Sequence, residues 1–355
     1  MKNKIVFILP GLPAPIGGFK YVYHHASVLA KNNYDVTVVH VNPWLNYKSN
    51  NIFKRLRSYI IFAYFLHFSK WRNLPQTDYG VNFKTYNRIN ITFNPNIQYV
   101  IASWQLLNYY SAIINYNSFN VMHYCMDIPG FMGPQTDVIN SFFFPVQYVA
   151  ISKFMLQTFR TYNKSHIINY MPCSVTKIPI ENSVNRVIDI CGNLTAGKYK
   201  NILFAIELFN ALSLKYNITL YGRARRPTSL NSRIRYLSSP TDSDISSLLS
   251  LALSFICVSK FEGFGLPGLE AMSHSVIVLS TDTGGCRDYC FFGENCILLS
   301  GSSINNDLNV IDKFFKDRES MNTIRRNADL FIANYSKTFN DKRILALFSS
   351  PSSQH

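Results

Sequence analysis

Residues 259–272 read Ser259-Lys-Phe-Glu262-Gly-Phe-Gly265-Leu-Pro-Gly268-Leu-Glu270-Ala-Met272. The apolar run 254–258 before this stretch is typical of a buried strand, and Pro267 suits the first turn of a following helix. Glycines between a strand and a helix leave backbone N–H groups exposed at the positive end of the helix, where a diphosphate can bind. Glu262 falls in the loop and Glu270 in the helix, so the two carboxylates can reach different parts of one extended ligand.

The alternation of strand, glycine-rich loop and helix begins at the start of the chain. A strand is predicted at 5–9, a glycine pair follows at 17–18, a helix covers 21–31 and a second strand covers 35–41. Continuous apolar strands of this kind are typical of a parallel sheet that is covered on both faces. Further strands are predicted at 98–102, 120–125, 147–151, 186–191, 218–221, 234–237 and 276–280.

Length indicates that these elements form more than one domain. The chain has 355 residues, whereas single hydrophobic cores usually stop growing at about 250 residues or somewhat more. We therefore predict two Rossmann-like α/β domains, at 1–175 and 183–335, and a C-terminal helix or tail at 336–355 that can return to the first domain. In tandem α/β halves, ligands bind at the carboxyl ends of the strands.

The two glutamates are separated by seven residues, and this block resembles the E-x7-E signature of the retaining GT-B glycosyltransferases grouped as glycosyltransferase family 4. The other similar features are Gly17-Gly18, Val149-Ala-Ile-Ser152 and Thr283-Gly-Gly285. The resemblance implies a GT-B fold, in which two Rossmann-like domains have parallel sheets that face each other across a cleft. It also implies transfer of a sugar from a nucleoside-diphosphate donor, with retention of anomeric configuration.

The resemblance implies a role for each residue of the block. Glu262 would contact the hydroxyls of the donor sugar, and Glu270 would bind the ribose hydroxyls. The backbone that would hold the diphosphate belongs to Gly263, Phe264, Gly265 and Leu266. Gly17 and Gly18 would form an N-terminal glycine loop against the donor, and a plain tight turn is the alternative interpretation of this pair.

The segment after the strand at 186–191 departs from the family pattern. Family members often carry a Gly-Arg pair followed by Lys-Gly or Lys-Asn, and both cations meet the donor phosphates. Here Lys200 matches the lysine, whereas Asn193 replaces the arginine. An amide cannot provide the bidentate hydrogen bonding of a guanidinium to phosphate. Asn193 remains a candidate donor contact. Lys198 or Arg223 can supply the missing charge, or either can be a solvated loop cation.

The acceptor-side half shows a second departure. Family members commonly end a strand with His-Asp, whereas this chain reads His123-Tyr-Cys-Met126-Asp127. Asp127 therefore joins Glu262 and Lys200 as a candidate catalytic residue, and His123 is interpreted as a buried structural residue. The sequence contains no convincing dedicated nucleophile. The family mechanism implied here is a same-face substitution, in which the departing phosphate accepts the proton of the acceptor.

No metal cofactor is expected, and the nucleotide sugar serves as a co-substrate. Asp242-Ser-Asp244 matches the D-x-D metal motif of other glycosyltransferases, but Asp before a polar first turn predicts the N-cap of a helix. The seven cysteines lie largely in apolar runs and indicate reduced core residues. Cys286, Cys290 and Cys296 lack the paired spacing of a zinc site.

The formal net charge of +15 favours a phosphate-bearing partner. We find no nucleic-acid-binding motif, so the expected partners are a nucleotide sugar, a saccharide or lipid-linked saccharide acceptor, and an anionic membrane surface. The segment 53–72 is basic at both ends and aromatic between them, and it is interpreted either as an interfacial membrane segment or as a buried helix.

No run approaches the roughly 20 apolar residues that span a bilayer, and the N-terminal apolar run is too short for a signal peptide. We therefore expect a cytoplasmic protein that can also be peripheral on the inner face of the cell membrane. It is expected to act in bacterial surface-polysaccharide synthesis of the O-antigen, capsule or lipopolysaccharide type. Two alternatives stay open. One is a sugar-nucleotide epimerase of the same shape, and the other is a noncatalytic protein that binds nucleotide sugars or scaffolds an assembly.

Overall fold

The computed structural model describes residues 3–11, 13, 17–41, 56, 60, 81–86, 92–116, 120–130, 134–179, 186–197 and 199–349. The chain divides into two compact units, of which the first comprises Met1–Pro172 with Asp341–His355 and the second comprises Cys173–Asn340. The divisions fall a few residues from the positions proposed from the sequence, which were 175–183 and 335–336.

Seven parallel strands form the sheet of the first unit, in the order β3-β2-β1-β4-β5-β6-β7. The interior strand β1 buries its residues from Ile5 to Leu9 without interruption, because the sheet is covered on both faces. The strands are β1 (Lys4–Pro10), β2 (Asp35–Val41), β3 (Asn82–Tyr86), β4 (Ile97–Ile101), β5 (Val121–Cys125), β6 (Gln147–Ala150) and β7 (Ile168–Tyr170).

The described helices of the first unit are α1 (Gly17–Lys31), α2 (Trp104–Tyr116), α3 (Gln135–Asn140), α4 (Lys153–Tyr162) and α10 (Asp341–Ser349). Ser152 caps α4, and its hydroxyl accepts the Met155 N–H at 3.0 Å. The C-terminal helix α10 packs on this unit, because the Phe348 ring lies 6.1 Å from the Phe7 ring of β1.

Six parallel strands form the sheet of the second unit, in the order β10-β9-β8-β11-β12-β13. The strands are β8 (Ile188–Asn193), β9 (Ile218–Gly222), β10 (Arg235–Ser238), β11 (Ala252–Cys257), β12 (Ile277–Ser280) and β13 (Cys296–Leu298). The described helices are α5 (Ile202–Leu212), α6 (Asp242–Leu251), α7 (Leu266–Ser273), α8 (Ile304–Lys316) and α9 (Arg318–Thr338). The two parallel α/β sheets confirm the predicted fold class.

Two local predictions were wrong by a few residues. Gly17 and Gly18 are the first two residues of α1 rather than part of a separate loop. The cap of α6 is Thr241, not Asp242, because the Thr241 hydroxyl accepts the Asp244 N–H while the Asp244 carboxylate accepts the Thr241 N–H. This reciprocal capping box occupies Asp244 and stabilises the start of the helix.

Within the described part of the chain, no helix is both long enough and apolar enough to cross a membrane. The segment 53–72 lies outside the described residues apart from positions 56 and 60. Its interpretation therefore stays a prediction.

Candidate functional site

Lys200 and Glu262 form an ion pair in the loops that follow two neighbouring strands, β8 and β11. Lys200 Nζ lies 2.6 Å from Glu262 Oε1 and 2.8 Å from Oε2. Both side chains are partly buried, the carboxylate more than the ammonium. The Lys200 N–H donates to the Gly197 carbonyl at 3.1 Å, which closes the turn before α5. The fold thus brings together two of the three residues predicted to be catalytic.

The second glycine turn packs directly on the backbone of Glu262. The Glu262 N–H donates to the Thr283 carbonyl at 3.0 Å, and the Gly285 N–H donates to the Glu262 carbonyl at 3.2 Å. A Cβ atom on Gly285 would lie 2.5 Å from the Glu262 carbonyl oxygen and 2.6 Å from the Phe264 nitrogen. Only glycine allows this approach, so the two glycine-rich turns form one rigid unit around Glu262.

The loop between Glu262 and α7 presents backbone donors at a helix N-terminus. Gly265 adopts the left-handed conformation with φ of 88° and caps α7, and Pro267 occupies the first turn. The Phe264 side chain is buried beneath the loop. Within the described residues, the N–H groups from Gly263 to Leu266 donate to no protein acceptor. These donors and the helix dipole together suit an anionic ligand.

Glu270 lies one turn into α7, close to the ends of β8 and β9. Its negative charge adds to burial in raising the pKa of the Tyr221 phenol well above its ordinary value. The Tyr221 hydroxyl is in turn hydrogen-bonded to the Asn193 side chain, which also accepts a hydrogen bond from the Thr195 hydroxyl. Tyr221 therefore connects Asn193 with Glu270 at the carboxyl ends of β8 and β9, and sequence reasoning missed this buried residue.

The structure describes only one of the two residues, Arg223 and Lys198, that could replace the missing arginine. Arg223 is exposed in the loop directly after β9, and partial desolvation lowers the pKa of its guanidinium. Its position beyond the carboxyl end of a sheet strand is compatible with a ligand contact. Lys198 lies outside the described residues.

In the first unit, the glycine pair and Asp127 lie near the same edge of the sheet. Position 18 has ordinary space beside Met126, because a Cβ atom there would lie 3.7 Å from the Met126 Sδ atom. Asp127 Oδ2 accepts the Trp104 N–H at 3.2 Å, at the start of α2. Burial raises the pKa of Asp127 to about 6, although this hydrogen bond opposes the shift.

His123 has the structural role inferred from the sequence. Its imidazole is buried in β5, and its Nδ1 lies 2.8 Å from the Ile101 carbonyl. Burial lowers the pKa of His123 to about 4, so the ring is neutral near pH 7 and Nδ1–H donates to that carbonyl. This histidine stabilises the pairing of β4 and β5 rather than facing a ligand.

The cysteines are all free thiols, and six of the seven are buried. Among the described residues, no group of three or more His, Cys, Asp or Glu side chains could hold a metal ion. The Cys286 Sγ atom instead accepts a hydrogen bond from the Thr283 N–H in the second glycine turn, at 3.4 Å.

Residues 195–331 match the family model described as glycosyl transferases group 1, and this region contains the Lys200–Glu262 pair and the loop between Glu262 and α7. Anabaena HepE, solved in complex with UDP and glucose, is 15% identical, with a TM-score of 0.72 over 98% of this chain and 100% of that one. The chain has the GT-B fold.

Two curated relatives resemble shorter stretches of this GT-B protein. An uncharacterized glycosyltransferase of Bacillus subtilis, YqgM, is 27% identical over 109 residues, which is 31% of this chain. The GDP-mannose:cellobiosyl-diphosphopolyprenol alpha-mannosyltransferase of Komagataeibacter xylinus is 32% identical over 116 residues, which is 29% of this chain. Each alignment covers 30% of the relative's own length.

Proposed function

We propose that this protein is a glycosyltransferase that moves a sugar from a nucleoside-diphosphate donor to a saccharide acceptor. The observation that carries this proposal is the Lys200–Glu262 ion pair beside the unpaired N–H groups at the start of α7. A cation and oriented backbone donors suit a diphosphate, and a carboxylate suits sugar hydroxyls. The loops after β8 and β11 therefore offer complementary groups for both halves of a nucleotide sugar.

Donor binding changes the partner of Lys200. In the structure, the Lys200 ammonium is held by Glu262. A donor diphosphate, with its greater negative charge, attracts Lys200 and frees Glu262 to accept hydrogen bonds from the sugar. Glu270, adjacent to Tyr221 and Asn193, binds the ribose hydroxyls in this arrangement.

The transfer breaks the bond between the anomeric carbon and the diphosphate oxygen and forms a bond from the same carbon to an acceptor oxygen. Negative charge develops on the departing diphosphate, and the N–H groups from Gly263 to Leu266 and Lys200 stabilise it. We propose that substitution occurs on the same face of the sugar, which retains its configuration. The acceptor proton passes to the departing diphosphate, and no metal ion takes part.

Asp127 is the candidate carboxylate on the acceptor side. Its raised pKa of about 6 leaves it ionised near neutral pH, when it can accept a hydrogen bond from an acceptor hydroxyl. Gly17 and Gly18, at the exposed start of α1, leave space for a ligand to approach the backbone. With Asp127 in this role, the first unit binds the acceptor, and Gly17 and Gly18 stay candidate contacts of the donor.

We further propose a lipid-linked acceptor in surface-polysaccharide synthesis. The Komagataeibacter relative is named for a mannosyl transfer to a diphosphopolyprenol-linked saccharide. The net charge of +15 would attract the chain to an anionic membrane that carries such a lipid. A peripheral location on the inner face of the membrane follows from this acceptor.

The proposal is tested by screening the purified chain against UDP-, GDP- and dTDP-sugars for thermal stabilisation. A ligand at 100 times its Kd adds about 2.7 kcal/mol to the free energy of unfolding, which raises Tm measurably. We expect one class of donor to stabilise the chain and to support sugar transfer. Absence of stabilisation by every donor would contradict the proposal.

Variants of the two motif glutamates separate the alternative functions. Glu262→Ala and Glu270→Ala should abolish transfer without unfolding the protein. Glu319→Ala, a control at an exposed position in the first turn of α9, should leave transfer unchanged. Isomerisation of a nucleotide sugar without any acceptor would instead indicate an epimerase. Donor binding with neither reaction would indicate the noncatalytic protein.

A further inference from the structure

Tyr289 contacts the loop between Glu262 and α7 through Gly265 and Phe264. The side chain is only 2% exposed, and its hydroxyl donates to the Gly265 carbonyl at 2.5 Å. Its ring lies 5.7 Å from the Phe264 ring, under the same loop. The phenol thus reaches the peptide that joins Gly265 to α7.

The backbone around Tyr289 is fixed on both sides. The Tyr289 N–H donates to the Cys286 carbonyl at 2.9 Å, and the Asn295 side-chain amide donates to the Tyr289 carbonyl at 2.9 Å. Asn295 is buried and also accepts the Phe291 N–H at 2.8 Å. These hydrogen bonds fix the backbone that carries the Tyr289 side chain. The hydrogen bond from its hydroxyl to the Gly265 carbonyl therefore costs little additional conformational entropy.

Two glycines make room for this hydroxyl. A Cβ atom at Gly268 would lie 2.5 Å from the Tyr289 oxygen, and a Cβ atom at Gly265 would lie 2.7 Å from it. Gly265 needs glycine for its positive φ as well. Gly268 has an ordinary helical position, so the phenol is the reason that this first turn of α7 carries a glycine.

The direction of the Gly265 carbonyl decides the direction of the next N–H. In a planar trans peptide, the carbonyl of one residue and the N–H of the following residue point to opposite sides. Because the Gly265 carbonyl points back to Tyr289, the Leu266 N–H points away from this side chain. The Gly265 carbonyl also accepts the Gly268 N–H at 3.1 Å, so the Tyr289 hydroxyl adds a second hydrogen bond that resists rotation of this flexible peptide.

We propose that Tyr289 is a positioning residue that holds the Leu266 N–H toward the diphosphate of the donor. This inference rests on the proposed function, since it assumes that a diphosphate binds at the start of α7. Tyr289 touches no substrate. It acts through the Gly265–Leu266 peptide, whose preset orientation removes a reorganisation step from binding and from stabilisation of the leaving group.

The experiment compares Tyr289→Phe with Tyr335→Phe, with UDP, GDP and dTDP as probes. Tyr335 is a matched control, because it is buried in the same unit and its hydroxyl donates to the Cys173 carbonyl at 3.0 Å. Both changes remove one buried hydrogen bond between a phenol and a carbonyl. We expect Tyr289→Phe to weaken diphosphate binding about tenfold and Tyr335→Phe to leave it unchanged.

A role in stability alone would affect the two variants alike, so the affinity for the free nucleoside is measured as well. The expected loss in Tyr289→Phe appears with the nucleoside diphosphate and is absent with the nucleoside. Equal diphosphate affinity in wild type and Tyr289→Phe would overturn the inference. Failure of all three diphosphates to bind wild type would instead contradict the proposed function, and the inference with it.

Hydrogen exchange in the wild-type protein keeps the test valid even where Tyr289→Phe does not fold. The Leu266 amide should exchange more slowly when the stabilising nucleoside diphosphate is bound. An unchanged Leu266 exchange rate at saturating nucleotide would overturn the inference.

Discussion

Asp127 lies in surroundings that oppose its ionisation. Burial raises its pKa from 3.8 to about 6, and the Trp104 N–H is too weak a partner to reverse this effect. The unfolded chain loses the proton at lower pH than the folded chain. The contribution of Asp127 to stability is therefore present below about pH 4 and decreases as pH rises toward 6.

Asp127→Asn tests this carboxylate through two pH profiles. Where ionised Asp127 is needed for transfer, wild-type kcat/KM rises with pH through about 6, and the variant loses both the activity and that rise. The variant should also be less destabilised than wild type as pH increases from 4 to 6, measured by urea unfolding. A wild-type profile without a rise near pH 6 would contradict the assignment.

The sequence could indicate where some site residues lie, but not which residues contact them from distant parts of the chain. The sequence placed Glu262 in a loop and Glu270 in the helix that follows, and the structure agrees. The roles that the family resemblance implies for these two residues and Lys200 stay predictions. Tyr289 could not be predicted, since it is 24 residues away from Gly265 in sequence and meets it only through the packing of the second glycine turn. Asn193 was recognised as a departure from the family pattern. Its hydrogen-bond partner Tyr221 could not be predicted, because it lies on a different strand.

At the scale of elements, glycine has two distinct structural roles in the candidate sites. Gly285 is required because its backbone lies against Glu262 and Phe264. Gly18 has ordinary space beside Met126, at the start of α1. The contact made by each glycine, rather than its presence in a glycine pair, therefore determines what a side chain would cost.

Substitution by alanine should separate these two glycines. Gly285→Ala should lower the free energy of unfolding by about 1–3 kcal/mol, because the added methyl group overpacks the turn. Gly18→Ala should leave stability unchanged or raise it by up to about 1 kcal/mol, since alanine favours a helix. Urea unfolding followed by circular dichroism measures both. A stable Gly285→Ala variant would show that the turn can relax away from Glu262.

Helix ends were the elements that sequence placed least accurately. The predicted helix at 21–31 begins earlier, at Gly17, because a glycine pair was interpreted as a loop rather than as a first turn. The start of α6 was displaced by one residue, since both Thr241 and Asp242 are suitable caps and only the hydrogen bonds distinguish them. The strands were placed better, because continuous apolar runs mark buried parallel strands directly.

For the whole molecule, repetition of the α/β pattern was sufficient to predict two parallel sheets. The C-terminal helix α10 belongs to the first unit, where Phe348 packs on Phe7 and Asp341 lies 3.2 Å from His24. The sequence allowed a C-terminal helix or tail at 336–355 to return to the first domain, and the structure supplies the packing partner, Phe7. The identity of the acceptor and the contact with a membrane stay predictions.

The central claim is that a nucleotide sugar binds at the Lys200–Glu262 pair, and a crystal structure with the stabilising donor tests it most directly. We predict a diphosphate within hydrogen-bonding distance of the Leu266 N–H and Lys200 Nζ, with Glu262 released from Lys200 to the sugar hydroxyls. A donor bound elsewhere in the chain, with the Lys200–Glu262 pair still closed, would contradict the account.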